Sequence, residues 1–384
     1  MTKATFRLMF VDHMAVEGSR RAFYRLLAHD REWEVHVVVP PSWNEVGKTV
    51  SCEPEVDPLL HLHTSLVLFR NRPHRVIYLG LPRLIREIKP DFLYMDAEPE
   101  NYAALEALIV RWASAPDMIL ALVSWRNIDH LKIGFPYKFS ATHRFCDFMI
   151  RRSRVDVVYC RAEAAQQFAG AYASRVCYLP HTVDCSVFTP LPKRDVPSGN
   201  TVTIGFVGRI VESKGVRVLI EAFAKLAVDC KLVLIGREEQ AKEYVDLARR
   251  LDVADRVICR PPIPHAEIPE VMRSFDVLVL PSLETKYWKE QFGRVLIEAM
   301  ACAVPVVASN SGGIPDVIGD SGKLFKTGSS SELAEILRDL VESRRLRAGF
   351  GAKGRQRAMQ LFDIQVGVQI LKQNLLTIIR DRHH

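Results

Sequence analysis

The sequence predicts an α/β protein made of two doubly wound domains in tandem, each built around a parallel sheet. Three observations carry that prediction. Short continuous apolar runs alternate with helical stretches. The alternation breaks once, at a proline-rich segment, and then resumes. The chain has 384 residues, against roughly 100–200 for one domain.

The first series of apolar runs is FRLMFV (6–11), VHVVVP (35–40), DFLYM (91–95), DMILALV (117–123) and VDVVY (155–159). These runs read as strands covered on both faces, which is the condition of a parallel sheet flanked by helices. Helical stretches between them include SRRAFYRLLAH (19–29) and NYAALEALIVRWA (101–113). The segment TPLPKRDVPSGN (189–200) then carries three prolines and no periodicity, so it reads as a linker. A second series follows: TVTIGFVG (201–208), KLVLIG (231–236), RVIC (256–259), DVLVLP (276–281) and VPVVAS (304–309). Helices separate these runs as well, and FDIQVGVQILKQNLLTIIR (362–380) is a last amphipathic one. The expected boundaries are 1–188 for the first domain, 189–200 for the linker, 201–361 for the second domain, and 362–384 for a helix that packs back on the first domain. Two such domains imply a cleft, with ligands bound beyond the carboxyl ends of the strands.

Composition narrows the class. With 48% hydrophobic and 25% charged residues, the chain falls among ordinary soluble proteins. A net charge of +7 suits an anionic small ligand but is too diffuse for nucleic acid. None of the eight cysteines forms a CxxC pair, so buried thiols in a reducing compartment are expected, and no zinc site. The start has no signal-peptide pattern and no run of 18 apolar residues occurs, so the expected location is cytoplasmic.

Two stretches carry chemistry. In GFVGRIVESKGVRVLIEAF (205–223) a strand ends at Gly208, and Arg209 and Lys214 sit in the loop before a helix. Two cations beside free helix N-terminal amides make an anion site, which a diphosphate would fill. In the second stretch (282–325) Glu290 stands just before a helix, and Glu298 is expected two turns inside it. Glu290 can reach a ligand, and Glu298 can accept hydrogen bonds from a ribose diol. Amides of Gln291 to Val295 suit phosphate and sugar oxygens, and the SGG turn (311–313) admits close backbone approach.

GRIVESKG, the Glu290–Glu298 pair within EQFGRVLIEAMA, the following PVVASNSGGIPDVI, and HTVDCSVFTP (181–190) together resemble the family-four retaining glycosyltransferases of GT-B fold, in the group 1 glycosyltransferase family. The resemblance runs over about 175–345 and is weaker before that. It implies a metal-independent, retaining, hexosyltransferase-type enzyme with no cofactor. Such an enzyme would move a sugar from a nucleotide-diphosphate sugar, UDP-sugar favoured, to a hydroxyl acceptor in polysaccharide or glycoconjugate biosynthesis. The acceptor classes are a glycan, a lipid-linked glycan or a small molecule. By the resemblance, Arg209 and Lys214 grip the diphosphate, Glu290 faces the sugar and Glu298 holds the ribose. Gly208, Phe292, Gly293, Arg294 and Val295 line the donor, and Arg260 to Ile263 meet the base. Glu17, Gly18 and Ser19 match a glycine-rich loop on the acceptor side.

Several positions depart from the family pattern. His181 stands for the usual Asn, Ala303 for the usual Gly after Cys302, and LIGREEQ brings Arg237 near the site. The histidine common after the strand MILALVSW is missing, and Asn127 or His130 is expected to take its sugar contact. HLH (61–63) reads as structural. PYKFSATHRFCDFMIRRSR (136–154) mixes phenylalanines with basic residues, as a peripheral contact with the inner membrane face would require. Two other classes remain. A nicotinamide-dependent dehydrogenase needs a GxGxxG after a strand, which is absent. A non-catalytic sugar-nucleotide-binding partner subunit would keep the donor residues and lack transfer.

Overall fold

The computed structural model describes residues 6–45, 48–128, 141–190, 201–226, 229–237 and 241–382. It divides into two compact units, Met1–Pro180 with Gly367–His384, and His181–Val366.

In chain order the first unit contains β1 (Phe6–Val11), α1 (Ala22–Ala28), β2 (Trp33–Val39), β3 (Ser42–Glu45), β4 (Lys48–Ser51), β5 (Leu60–Thr64), β6 (Val67–Leu68) and β7 (Ile77–Tyr78). It continues with α2 (Leu81–Ile88), β8 (Phe92–Met95), α3 (Tyr102–Ser114), β9 (Ile119–Ser124), α4 (Ala141–Ser153), β10 (Val155–Cys160), α5 (Gln166–Ala169) and β11 (Ala173–Tyr178). Seven strands form one sheet in the order β11-β10-β9-β8-β1-β2-β5. Every neighbouring pair in it is parallel. The strands are apolar throughout because helices cover both faces: Leu8, Met9, Phe10 and Val11 are all buried. Strand order reverses between β1 and β8, the place where open α/β sheets leave a crevice.

The second unit contains β12 (Val202–Val207), α6 (Val216–Phe223), β13 (Cys230–Ile235), α7 (Ala241–Arg250), β14 (Val257–Arg260), α8 (Ile268–Arg273) and β15 (Val277–Leu280). After these come α9 (Arg294–Ala301), β16 (Val306–Ser309), α10 (Ile314–Ile318), β17 (Lys323–Phe325), α11 (Ser330–Glu342) and α12 (Arg344–Arg357). Its sheet has the order β14-β13-β12-β15-β16-β17, again all parallel. Here the order reverses between β12 and β15. The expected boundary at 188 falls inside this unit, because Val183, Cys185 and Phe188 are buried in its core. The expected linker lies outside the described residues from 191 onward.

The last helix, α13 (Ile364–Arg382), begins at the end of the second unit. Its Leu371, Leu375 and Ile378 are buried in the first core. Lys372 pairs with Asp30 there, and Arg382 donates to the Asp156 carboxylate at 2.5 Å. All eight cysteines are free. Burial raises the Cys302 thiol to about 12. Among the described residues, no helix is long and apolar enough to cross a membrane.

Candidate functional site

The second unit brings its two chemistry-bearing stretches together at the reversal point of its sheet. One follows β12 and the other follows β15, and these strands are neighbours. Beyond Gly208 the chain makes a short 3-10 turn over Glu212–Lys214 before α6. Gly215 joins the two at φ 67°, a left-handed conformation that L side chains adopt at a cost. A Cβ on Gly215 would stand 1.9 Å from the Pro281 carbonyl oxygen, at the end of the neighbouring strand. Leu283 N donates to Ser213 O at 2.8 Å, so the two loops are also hydrogen-bonded. Gly236 plays a similar part on the other side, where a Cβ would lie 2.0 Å from Gly208 O.

Lys214 and Glu290 meet in this junction. The ammonium Nζ is 2.5 Å from Glu290 Oε2. The same oxygen accepts the Ser282 hydroxyl at 2.7 Å. Glu290 is 7% exposed, so its carboxylate is turned inward onto Lys214 and Ser282. Sequence reasoning expected it to reach a ligand; in this structure the buried carboxylate has the partners that burial demands. The backbone of Glu290 is fixed by the SGG turn: its N donates to Ser311 Oγ at 3.4 Å, and Gly313 N donates to its O at 3.0 Å. Gly313 must be glycine at this approach, since a Cβ would be 2.3 Å from Gln291 O. Ser309 Oγ donates to Ser282 O at 2.6 Å and braces the far side.

The helix after Glu290 starts later than expected. α9 begins at Arg294, with Gly293 at φ 79° before it. Glu298 therefore lies one turn inside, not two. Its Oε1 is 3.9 Å from His265 Nε2. The Phe292 side chain is core, packed edge-on against Phe362 and His181, so only its main chain can serve a ligand. Gly293 is buried, while Arg294 and Val295 are half-buried on the first turn. Arg209 is exposed, and its guanidinium makes no ion pair among the described residues. Arg260 ends β14 with its carbonyl accepting Gly236 N at 3.1 Å, and Ile263 is half-buried against the core. Sequence reasoning passed over Ser282, Ser309, Trp288 and His265. Single serines carry no periodic signal, and Trp288 showed no role until the fold placed its ring 5.1 Å from Lys214 Nζ.

The candidate residues of the first unit follow two of its strands, Glu17, Gly18 and Ser19 after β1 and Asn127 after β9. Glu17 pairs with Arg20 at 3.1 Å, and Gly18 N donates to Glu53 Oε2 at 2.6 Å. Ser19 is exposed and Asn127 half-buried. His130 and residues 136–140 of the basic segment lie outside the described residues. Where the family histidine is expected, Arg126 is buried and its guanidinium is 2.8 Å from Glu100 Oε2. Nearby Glu98 accepts Trp125 N at 2.8 Å. Burial, then the Glu100 charge, holds its carboxyl well above the usual carboxylate range. Asp12, His13 and Asp96 bring one ligand atom each within 4.8 Å of one another. The Asp12 oxygens there already accept Met14 N at 2.8 Å and the Tyr24 hydroxyl at 2.8 Å. His61 and His63 stack on His36, and burial first, then the neighbouring imidazole, lowers His36 below its ordinary value.

Residues 190–357 match the family model of Glycosyl transferases group 1. A D-inositol 3-phosphate glycosyltransferase of Thermobifida fusca (strain YX) is 34% identical over 214 residues, which cover 50% of this chain and 48% of that protein. An N-acetyl-alpha-D-glucosaminyl L-malate synthase of Bacillus anthracis is 31% identical over 172 residues, 44% of this chain and 43% of that protein. The chain thus spans about half the length of the curated relatives it matches. Among solved structures, an Anabaena protein, HepE, in complex with UDP and glucose superposes with TM-score 0.70 at 21% identity, covering 97% of this chain and 100% of that one. The sucrose-phosphate synthase of Thermosynechococcus elongatus gives 0.74 at 18%, covering 98% and 100%. The two all-parallel sheets and these superpositions establish the GT-B fold, and residues 190–357 are similar to the group 1 glycosyl transferases.

Proposed function

We propose that this protein is a retaining, metal-independent glycosyltransferase that takes a sugar from a nucleoside-diphosphate sugar and gives it to a hydroxyl acceptor. The observation that carries the proposal is the junction at the β12–β15 reversal point, where Lys214 is held on Glu290 beside the start of α9. A nucleoside diphosphate needs a cation and main-chain donors there. On donor binding, Lys214 exchanges the Glu290 carboxylate for phosphate oxygens, and Arg209 supplies a second cation. Glu290 then faces the sugar, and Glu298 receives the ribose hydroxyls.

In the reaction, the bond from the sugar's anomeric carbon to the β-phosphate oxygen breaks, and the acceptor oxygen bonds to the same carbon on the same face. The acceptor proton passes to the leaving phosphate. Lys214, Arg209 and the α9 amides stabilise the charge that develops on that phosphate, which is the part otherwise taken by a divalent metal. The HepE complex with UDP and glucose supports a UDP-sugar as donor. The names of the inositol-phosphate and malate relatives support a small, polar, hydroxylated acceptor.

We also propose a cytoplasmic location with contact to the inner membrane face. Phe145 and Phe148 on α4, and Ile109 and Trp112 on α3, are large apolar side chains left half-exposed or more. Arg144 and Arg152 on α4 are exposed beside them and make no ion pair among the described residues.

The donor reading is tested by calorimetric titration with UDP, GDP and ADP, followed by turnover with the matching glucose donors in EDTA. One diphosphate should bind, and Lys214→Ala should weaken it at least tenfold while circular dichroism stays unchanged. Glu290→Ala should cut transfer far more than it weakens the diphosphate. Tight diphosphate binding by Lys214→Ala sinks the assignment, and turnover abolished by EDTA sinks metal independence.

A further inference from the structure

Trp288 has no role in the reading above, yet it touches its central cation. Its indole centroid lies 5.1 Å from Lys214 Nζ. The ring comes from a tight turn in the loop after β15. Thr285 N donates to Trp288 O at 2.8 Å, Trp288 N donates back to Thr285 O at 3.4 Å, and Tyr287 N donates to Thr285 Oγ1 at 3.2 Å. Both flanks of that turn are tied down. Leu283 N bonds to Ser213 O at 2.8 Å, one residue from Lys214. Glu284 accepts Gly312 N at 3.0 Å and pairs with Lys289 at 3.5 Å. The indole is half-buried, so its face is partly shielded from water.

We propose that Trp288 is a positioning residue that holds the Lys214 ammonium in place for the donor diphosphate. The inference rests on the proposed donor site. A lysine carries its charge on a flexible four-carbon stem with many rotamers. Glu290 alone cannot fix it during the reaction, because that carboxylate must release the ammonium when phosphate arrives. The indole face attracts the same cation without competing for its N–H donors, so it restrains Lys214 both before and after the exchange. Such a contact contributes about 0.5–2 kcal/mol, depending on exposure. That corresponds to roughly 2- to 30-fold in affinity. Ser282 Oγ donates to Glu290 Oε2 at 2.7 Å, so the carboxylate keeps a donor when the lysine turns away.

The test compares Trp288→Phe, which keeps an aromatic face, with Trp288→Leu, which keeps apolar bulk only. Titrations use UDP, GDP and ADP on the wild type, then the diphosphate that binds and its parent nucleoside on both variants. Trp288→Leu should weaken the diphosphate about tenfold. Trp288→Phe should weaken it only two- to threefold, and the nucleoside should bind all three proteins alike. Equal diphosphate affinity in the wild type and Trp288→Leu overturns the inference. So does equal weakening in the two variants, which would make the ring a spacer. Nucleoside affinity falling in step with the diphosphate also overturns it, because the ring would then touch the base. If the wild type binds none of the three diphosphates, the donor reading fails first and this inference falls with it.

Discussion

At the scale of single residues, burial decides which charges can exist and what they must touch. Glu290 shows this on the candidate site, where a nearly inaccessible carboxylate is met by an ammonium and a hydroxyl on one oxygen. Glu106 shows the other outcome. It accepts one backbone donor, Tyr78 N at 2.8 Å, and pairs with no cation among the described residues. Burial pushes its carboxyl up to about 8. The folded chain therefore holds a proton that the unfolded chain has already released between about pH 4.5 and 8. That contribution to stability is fully present below the unfolded value and is lost as pH rises through the folded one. Glu106→Gln keeps an oxygen for Tyr78 and cannot titrate. Its melting temperature relative to the wild type should therefore climb steadily from pH 5 to pH 8. A constant gap across that range would show that Glu106 titrates normally.

At the scale of elements, the close approaches are set by backbone conformation. Gly215 and Gly293 take positive φ where the loops leave β12 and precede α9, and each is a glycine. Ala303 also has positive φ, 57°, immediately after the C-terminal cap of α9. The sequence had already marked Ala303 as standing where glycine is usual, and the backbone explains the preference. An L side chain in the left-handed region costs about 1–2 kcal/mol, offset in part by the greater unfolded freedom of glycine. Ala303→Gly should stabilise the chain by about 0.5–1 kcal/mol in urea denaturation, with an unchanged slope. A loss of stability would mean that the turn gains nothing from glycine. Element assignment from sequence succeeded where strands are continuous apolar runs, including the edge strand β14, and it missed the edge strands β5, β11 and β17. β5 reads LHLHT, and its histidines at 61 and 63 find partners in the adjacent β2, so the strand never looks apolar in sequence. β11 carries an exposed Ser174 and the half-buried Arg175, as an edge position allows. α2 is short and carries Pro82 in its first turn, and its Leu81, Leu84, Ile85 and Ile88 form the face that packs on the first core.

At the scale of the whole molecule, charge and apolar surface act together. The chain carries +7. On the first unit, α3 and α4 lie side by side with their starts joined through Tyr102 and Thr142 hydroxyls at 2.5 Å. Trp112 on α3 is 51% exposed and Phe148 on α4 is 60% exposed. Aromatic side chains interleaved with unpaired arginines suit an anionic bilayer surface, each cation adding about 1 kcal/mol near the membrane. The protein should sediment with phosphatidylcholine vesicles containing 30% phosphatidylglycerol at low salt, and far less with phosphatidylcholine alone. Replacing Trp112 and Phe148 by Ser should reduce that binding without lowering the melting temperature. Retention of the double variant on the vesicles would remove the membrane proposal.

The sequence by itself determined the two parallel-sheet units, the positions of their inner strands along the chain, and the pair of stretches at 208–215 and 290–295, because continuous apolar runs, loop cations and glycines are local signals. Only the tertiary structure decided that Lys214 rests on Glu290, that the boundary segment after Pro180 belongs to the second core, and that Arg126, next to Asn127, occupies a buried ion pair with Glu100. These outcomes depend on burial and on partners distant in the chain, 76 residues apart for Lys214 and Glu290. A local pattern can say that a charge exists; only the packed molecule says which opposite charge it must find when water is taken away.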